Sequence, residues 1–468
     1  MQEPKSYYDK LLETKEKLNA VGKGFCLMKW QTETLYLHMG DNHSCYHPRP
    51  HKIRIEDIKR SPSGLHNTEY KKQQRKLMLE GERPSECYYC WNIEDLGGDH
   101  ISDRFVHSTS DYAIEDYDTI RKLDSDADWN PRHIEVSFGN ACQLKCGYCC
   151  PQASSAWMEE IKRKGDYDIT TKQYSIDFLK DGVFYEPDMD NPYVDAWWQW
   201  WPELKKDLRV FRITGGEPLL NSNTFKLLDM LDQDPAPELQ LHINSNLGMK
   251  SSLVEKLSER VSKLLAEKKI KDFRLFTSID GWGERAEYMR NGLDCELWEK
   301  NLRIFLDTVP NSKINLMITF NVLSVVKFRY LLDKILKLRE EYGTLENMYT
   351  QRIGFDTPYL KEPPHWMINI LPKNFLDYMW DHLRHMKYKE RTKDFTHGFD
   401  KVEIEKFKRV VDYMAENPVS PSILRQGRRD FYTFFTEHDK RRGTNLLATF
   451  PEYTEFFNMC EQVYRNWK

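Results

Sequence analysis

The sequence has no long apolar run and no leader-like start. No stretch approaches the roughly 18 consecutive apolar residues that a membrane-spanning helix needs. The first residues lack the basic-then-apolar order of a secretory signal. Internal repeats and low-complexity tracts are also missing. From the sequence we therefore expect an unexported protein of the cytoplasm with no membrane partner.

An excess of charge of either sign is absent too. Across 468 residues, 69 Lys and Arg face 73 Asp and Glu, which gives a formal net charge of −4. Bulk electrostatic binding of nucleic acid needs a basic face, so the composition argues against nucleic acid as a partner. Hydrophobic residues make up 40% of the chain and charged residues 30%. This balance excludes a disordered polymer and predicts a substantial core.

Cysteines are few, with ten in the chain, and they are unevenly placed. That number is too small for a disulfide scaffold in a chain of this length. In a reducing compartment, clustered thiols indicate metal ligands or redox groups. Eight cysteines lie in the first third of the chain. We interpret the two isolated ones, Cys295 and Cys460, as small buried hydrophobes.

The densest group contains Cys142, Cys146, Cys149 and Cys150. Three thiolates in one short loop can hold a metal or an iron–sulfur cluster and leave one metal position open. The alternative is a zinc site that is closed by a fourth ligand, either Cys150 or a histidine. A strand pattern precedes the loop and a helix pattern follows it. The loop is therefore predicted at the C-terminal end of a strand, where α/β barrels build active sites.

A second motif follows the next strand pattern, at 208–214. It consists of Gly215, Gly216, Glu217 and Pro218. Two glycines let the backbone approach a ligand closely, and a glutamate can accept hydrogen bonds from an ammonium group. A Gly-Gly turn alone is a weak signal, but together with the three-cysteine loop it is a specific one.

Together these residues resemble the radical S-adenosylmethionine (SAM) enzyme superfamily. The family signature, Cys-x3-Cys-x-aromatic-Cys, is met by Cys142, Cys146, Tyr148 and Cys149. The resemblance implies that the three cysteines hold a [4Fe–4S] cluster whose fourth iron binds the amino and carboxylate groups of SAM. It also implies that the Gly-Gly-Glu-Pro stretch at 215–218 helps to hold the SAM amino group and that Tyr148 lies near the adenine.

Two later stretches look like the subgroup of this family that has auxiliary clusters. Ser245 stands at a strand end where the family often has Thr-Asn-Gly. Ser278 begins a Ser-x-Asp-Gly stretch, which Arg290 follows. By this resemblance, Ser245, Ser278 and Arg290 reach the carboxylate or ribose of SAM. The alternative is ordinary strand-end capping and a solvated surface arginine.

A second candidate site consists of four N-terminal cysteines, Cys26, Cys45, Cys87 and Cys90. We predict a hairpin of strands at 25–30 and 33–38, followed by a helix at 67–80. Four thiolates can close either a tetrahedral zinc site or a [4Fe–4S] cluster. The cysteine spacing resembles the family's twitch domain, the shorter version of the SPASM-type auxiliary domain. This resemblance implies one auxiliary [4Fe–4S] cluster, with zinc as the alternative; in most such enzymes the domain follows the barrel, whereas here it precedes it.

The element pattern predicts an α/β fold with a partial (βα)6 TIM-like radical SAM barrel. The predicted parts are a twitch-like α+β domain at 1–110, a connector at 111–131, the barrel at 132–360 with an insertion at 165–207, and a helical C-terminal extension at 361–468. The insertion carries a tryptophan cluster at 197–201. We interpret it as a helix packed between domains, with the floor of a substrate cavity as the alternative.

The resemblance implies reductive cleavage of SAM to methionine and a 5′-deoxyadenosyl radical that abstracts hydrogen from a substrate. It implies an electron donor such as flavodoxin or ferredoxin. We expect the auxiliary cluster to accept electrons and Cys150 to pack beside the SAM cluster. Auxiliary-cluster relatives mostly modify peptides and proteins, so a peptide or protein is the leading substrate.

Three alternatives stay open at this point. A small-molecule dehydrogenase of the aminosugar type would use the same cofactors. A non-catalytic, Cys-rich zinc-binding scaffold would have no need of the Gly-Gly-Glu-Pro stretch, which argues against it. A radical enzyme that modifies nucleic acid would need a basic patch at the barrel mouth, and the overall charge gives no support for one.

Overall fold

The computed structural model describes residues 6–97, 100–186, 189–310, 312–343, 351–393, 395–416 and 419–467. The strands in these ranges are β1 Thr32–Tyr36, β2 Asp41–His43, β3 His51–Lys52, β4 His133–Ser137, β5 Lys145–Cys146, β6 Val210–Thr214, β7 Ala236–Ser245, β8 Ile270–Ser278, β9 Arg290–Asn291, β10 Lys313–Met317 and β11 Ile353–Asp356.

The helices before β4 are Tyr7–Val21, Met28–Gln31, Ile55–Arg60, Glu69–Leu79, Tyr88–Asp95, Asp103–Ser108, Asp111–Ile114 and Tyr117–Ile120. The helices between β4 and β11 are Ser155–Lys164, Phe178–Asp181, Pro192–Asp207, Ser222–Gln233, Ser251–Ala266, Glu284–Met289, Cys295–Thr308 and Arg329–Tyr342. The helices after β11 are Leu376–Tyr388, Lys401–Glu416, Pro421–Arg442, Leu446–Thr449 and Thr454–Arg465.

One sheet dominates the molecule, with the strand order β11-β10-β8-β7-β6-β4-β1-β2-β3. All neighbours from β11 to β1 are parallel, and β2 and β3 continue the sheet in antiparallel fashion. Strands β5 and β9 form a separate two-stranded antiparallel sheet. The prediction of a mixed α/β fold with a parallel sheet is confirmed. The partial barrel and the bounds of the four predicted parts stay predictions.

Alternating burial explains why the parallel strands pair as they do. Along β8, Phe273 and Leu275 are buried, whereas Arg274 and Phe276 are only half-buried. The buried side chains belong to the large core that the sheet shares with its flanking helices. The half-buried side chains point to the other face of the sheet, because successive side chains of a strand alternate between faces. The sheet therefore has one apolar face and one face that solvent reaches.

Local capping explains where two helices near the strand ends begin. The Ser154 hydroxyl accepts a hydrogen bond from the Trp157 N–H and starts the helix Ser155–Lys164. The Asn221 amide oxygen accepts from a backbone N–H in the first turn of Ser222–Gln233. Both side chains satisfy N–H groups that have no partner within the helix. The first helix begins after the segment 138–154 that follows β4, and the second begins after the loop 215–221 that follows β6.

The N-terminal segment is tied into the main sheet. Strand β1 pairs in parallel with β4, with Thr34 opposite Glu135. The segment also has a small core of its own, with Phe25 and Trp30 at its centre and Cys26, Cys45 and Cys87 packed against it. The predicted strand at 25–30 is wrong, since a short helix, Met28–Gln31, occupies its end. The apolar residues there are buried together in this small core, and their spacing does not follow one face of a strand.

The C-terminal helices pack onto the sheet through buried polar contacts. Arg339 and Glu403 form a completely buried ion pair, with Nη1 and Oε2 3.1 Å apart. At the end of the helix Pro421–Arg442, the guanidinium groups of Arg441 and Arg442 approach Glu160 to 3.9 and 3.6 Å. The basic end of this helix is thus docked on the helix that follows the three-cysteine loop.

The tryptophan helix Pro192–Asp207 also packs against the sheet. Trp197 and Trp201 are buried, with ring centroids 5.3 and 5.6 Å from Phe211 of β6. The helix is thus packed against the sheet, while its predicted place between domains stays a prediction. Among the described helices, none is both long and apolar enough to cross a bilayer.

Candidate functional site

The three-cysteine loop lines a cavity at the C-terminal ends of the parallel strands. Cys142, Cys146 and Cys149 all face this cavity, whose volume is about 210 Å³. Six further residues that the sequence singled out also line it, namely Tyr148, Gly215, Gly216, Ser245, Ser278 and Arg290. The fold therefore brings together residues that lie up to about 150 positions apart in the sequence. We call this space the three-cysteine cavity.

The helix after the loop fixes the loop backbone. The Ser155 hydroxyl lies 3.1 Å from the Cys142 N and 3.2 Å from the Cys142 O. The Trp157 indole N–H donates to the Cys146 O at 2.9 Å. Buried polar backbone groups need such partners, because the helix and sheet ladders do not reach them. The first turn of the helix therefore sets the orientation in which the thiols meet the cavity.

The loop is also joined to a distant segment. In the small antiparallel sheet, Cys146 of β5 stands opposite Arg290 of β9. The Arg290 Nη1 lies 3.5 Å from the Cys146 Sγ. Burial raises the pKa of the Cys146 thiol, and the positive charge of Arg290 partly offsets that rise. Arg290 is thus placed to stabilise a thiolate at Cys146.

Asp280 organises this side of the cavity. Its carboxylate is fully buried and accepts hydrogen bonds from the Arg290 Nε at 2.8 Å and the Tyr148 hydroxyl at 2.5 Å. It also accepts from the Thr319 backbone N–H at 2.8 Å. Sequence reasoning assigned no role to Asp280, although it belongs to the Ser-x-Asp-Gly stretch. Part of the Arg290 guanidinium is therefore engaged by the protein, and its contact with SAM stays a prediction.

The two glycines after β6 permit a close approach between loops. Gly215 has a φ of +99°, which favours glycine, and a Cβ atom there would lie 2.3 Å from the Ser137 Oγ. A Cβ atom on Gly216 would lie 2.5 Å from the Ala141 O. The Glu217 N–H donates to the same Ala141 oxygen at 2.7 Å. The Gly-Gly turn thus packs directly on the start of the three-cysteine loop.

The structure places the Glu217 carboxylate against the backbone. Its two oxygens accept hydrogen bonds from the Leu219 N–H at 3.0 Å and the Asn246 N–H at 2.7 Å. Glu217 is buried, and burial raises its pKa to about 7. Pro218 is buried beside it. Of the Gly-Gly-Glu-Pro stretch, the two glycines line the three-cysteine cavity, and the role of Glu217 and Pro218 toward SAM stays a prediction.

Asn246 is a cavity residue for which sequence reasoning gave no role. Its side-chain Nδ2 lies 3.7 Å from the Cys142 Sγ, and its Oδ1 accepts from the Gln143 Nε2 at 2.9 Å. Its place directly after Ser245, at the end of β7, was the available signal. Amide donors near a cluster sulfur are among the protein groups that tune its reduction potential.

The donor set of this cavity fits an iron–sulfur cluster with a ligand beside it. Burial raises the pKa of Cys142 to about 12, and a hydrogen bond with Cys150, together with burial, raises the pKa of Cys149 well above its usual value. Buried neutral thiols release their protons when cationic metal binds, so metal loading and thiolate formation are coupled. The cavity also has room beside the thiols, next to the two glycines. Within the described ranges, no group of three or more His, Cys, Asp or Glu side chains is arranged to hold a metal ion.

The N-terminal quartet lines a second, smaller cavity of about 30 Å³. Its walls include Cys26, Cys45, Cys87 and Cys90. Burial raises the pKa of the Cys26 thiol, and the other three cysteines add to that rise because they lie close to it. Four converging thiols fit a four-ligand metal centre. We call this space the quartet cavity.

Gly147 gives a direct test of the packing under the three-cysteine loop. A Cβ atom at this position would lie 2.1 Å from the Trp366 indole ring. We expect Gly147→Ala to lower the free energy of unfolding by about 1–3 kcal/mol, because the overpacked ring must move. Urea unfolding measures this change. Gly182→Ala is the matched control, since its nearest atom outside its immediate neighbours is 3.6 Å away, and equal stability losses in both variants would contradict the packing.

Comparison with known proteins gives limited but relevant similarity. No family model matches the chain. The GTP 3',8-cyclase of Sulfurimonas denitrificans is 23% identical over 217 residues, which are 44% of this chain and 56% of the cyclase. The chain thus spans little more than half of the length of this curated relative.

Two solved structures overlap the chain at low similarity. The overlap with native anSMEcpe with bound AdoMet and Cp18Cys peptide includes 55% of this chain and 60% of the anSMEcpe chain, with 14% identity and a TM-score of 0.32. The overlap with native anSMEcpe with bound AdoMet includes 66% of this chain and 62% of the anSMEcpe chain, with 14% identity and a TM-score of 0.31. The three-cysteine cavity and the similarity to the cyclase together support the radical SAM superfamily, and with it an enzyme, for this chain.

Proposed function

We propose that the protein is a radical SAM enzyme that abstracts hydrogen from a peptide or protein substrate with the help of an auxiliary cluster. The observation that carries this proposal is the three-cysteine cavity. There the three signature thiols, the two glycines after β6 and the strand-end residues Ser245 and Ser278 share one space. The convergence of these strand-end residues supports the residue roles that the family resemblance implies.

In this proposal Cys142, Cys146 and Cys149 hold a [4Fe–4S] cluster. When bound, the cluster supplies one electron for the cleavage of SAM to methionine and a 5′-deoxyadenosyl radical. Arg290 offsets the negative charge at Cys146, and Asp280 holds both Arg290 and Tyr148 in place. Gly215 and Gly216 present backbone to SAM without a side chain in the way.

The quartet cavity is the proposed auxiliary site. Its four thiols fill the coordination of a [4Fe–4S] cluster from the protein alone, which suits electron transfer better than substrate binding. A zinc ion is the alternative occupant of the four thiols. We favour iron–sulfur over zinc because the cysteine spacing resembles the twitch domain, with flavodoxin or ferredoxin as electron donor and the cytoplasm as the compartment.

Iron and sulfide analysis after anaerobic reconstitution tests the proposal. We expect about eight irons per chain and a low-temperature spin-resonance spectrum in which one of two signals shifts when SAM is added. About four irons with one zinc would keep the radical chemistry and make the quartet a structural site. Zinc alone, without a response to SAM, would overturn the proposal in favour of a zinc-binding scaffold.

A further inference from the structure

A row of four charged side chains and one histidine crosses the face of the sheet that solvent reaches. Glu135 of β4 stands opposite Arg212 of β6, Arg212 opposite His242 of β7, His242 opposite Arg274 of β8, and Arg274 opposite Lys313 of β10. All five residues are half-buried, whereas their neighbours along each strand are buried on the other face. We call these residues the charged row. Such a row is unusual inside a fold, because burying charge costs free energy unless a partner is present.

The charged row adjoins the three-cysteine cavity. The Arg212 Nε donates to the Asn244 Oδ1 at 2.9 Å, and Asn244 lines that cavity. Along the strands, the row lies about 7 Å from Asn244 and about 13 Å from Ser278, at about 3.3 Å per residue. A molecule bound on the row would therefore lie next to a wall of the three-cysteine cavity.

The row also lies toward the quartet cavity. His133 precedes Glu135 by two residues on the same strand face, and its ring lies 5.7 Å from that of Tyr112. Burial lowers the pKa of His133 to about 4, and charges on Arg212 and on His107, which lines the quartet cavity, add to that lowering. His133 therefore lies near both the charged row and a residue of the quartet cavity.

Two members of the row have buried nitrogens without a partner. The Arg274 Nε and the His242 Nε2 are both shielded from solvent and make no hydrogen bond. In the described part of the chain, Arg274 makes no ion pair, whereas Arg212 has Glu135 at 3.7 Å. The Arg274 guanidinium thus has no carboxylate within ion-pair distance among the described residues, although Asp272 on the same strand contributes a favourable charge. A buried donor without a partner is costly, so such a group calls for a ligand.

The guanidinium groups of Arg212 and Arg274 both pack against the ring of Phe276. The Arg212 and Arg274 guanidinium carbons lie 4.4 and 6.0 Å from its centroid. The His242 ring lies 5.5 Å from the same ring. These contacts orient the planar groups toward one small region and reduce the side-chain entropy that ligand binding would otherwise cost.

We propose that Arg274, with Arg212 and His242, binds a carboxylate of the substrate. A free guanidinium matches a carboxylate through two parallel hydrogen bonds. This inference rests on the proposed function for the role of the bound molecule, and it narrows the substrate to one that carries a carboxylate as well as the reacting C–H group. Acidic side chains and the C-terminus of a peptide both meet this requirement.

Calorimetric titration of the reconstituted full chain with benzoate tests the inference. SAM is present and reductant is omitted, so that SAM fills its own carboxylate site. We expect benzoate to bind, benzamide not to bind, and Arg274→Gln to weaken benzoate binding by about tenfold or more. Arg274→Lys keeps the positive charge but loses the planar guanidinium group, so it should weaken benzoate binding less than Arg274→Gln does. Lys271→Gln, an exposed charge on the same strand, should leave binding unchanged.

Several outcomes would overturn this assignment. Equal benzoate affinity in Arg274→Gln and the unchanged protein, with the variant folded by circular dichroism, would remove Arg274 from the site. Equal binding of benzamide would show that the carboxylate is not recognised. Tighter binding of inorganic phosphate than of benzoate would replace the carboxylate by a phosphate ligand. A titration without SAM separates these results from a failure of SAM binding, which would count against the proposed function alone.

Discussion

Replacing Cys146 by alanine is expected to abolish SAM cleavage. The Cys146 thiol lies in the three-cysteine cavity and faces Arg290, the cation placed to stabilise its thiolate. Without this ligand, two thiols are left for a cluster that needs three, and the cluster at this site should be lost. The measurement is methionine and 5′-deoxyadenosine formed from SAM under dithionite, together with iron per chain. Iron should fall by about four per chain.

The matched control for this prediction is Cys295→Ala. Cys295 is also buried, but it begins a helix away from both cysteine cavities. Its loss should change stability and leave SAM cleavage intact. Cleavage that persists in Cys146→Ala at the rate of this control would remove Cys146 from the catalytic site.

The double change of Cys87 and Cys90 to alanine is expected to separate the two sites. Both thiols line the quartet cavity and neither reaches the three-cysteine cavity. Reductive SAM cleavage without substrate should continue, while about four irons per chain disappear. Substrate turnover should stop, because the electron acceptor is gone. Iron analysis and the product ratio of 5′-deoxyadenosine to modified substrate measure these effects.

Cys460→Ala serves as the control for the double variant, since Cys460 is a buried cysteine of the C-terminal helices. A double variant that keeps all its iron would refute the quartet as a cluster site. Substrate turnover that survives the loss of iron would make the quartet structural only. Thermal unfolding should accompany both assays, because Cys90 is itself buried in the N-terminal segment.

The sequence predicted those parts of the site that depend on local patterns. The strand before Cys142 and the helix after Cys149 follow from periodicity and capping, and both are observed as β4 and Ser155–Lys164. The two glycines after β6 were also found, because a strand end and a turn signal lie next to each other in the chain. Parallel strands then bring such strand ends to one edge of the sheet.

The parts that were missed depend on contacts between distant residues. Nothing local in Asp280 shows that it will hold Tyr148 and Arg290, and nothing in Gly147 shows that Trp366 will cover it. The pairing of β1 with β4 is of the same kind, since a five-residue strand can join any open sheet edge. Glu217 was predicted from the family resemblance alone, and the backbone donors around it could not be seen from its neighbours in sequence.

The pairing of β1 with β4 has a mechanical consequence. Only the short helix Met28–Gln31 and one residue separate Cys26 from the start of β1. This connection is too short to let Cys26 move independently of β1. The ladder from Thr32 to Tyr36 then fixes this arm against the strand that leads to Cys142. We infer that the fold fixes the distance between the three-cysteine cavity and the quartet cavity. The paired strands β1 and β4 set this distance, and no flexible linker between domains is involved.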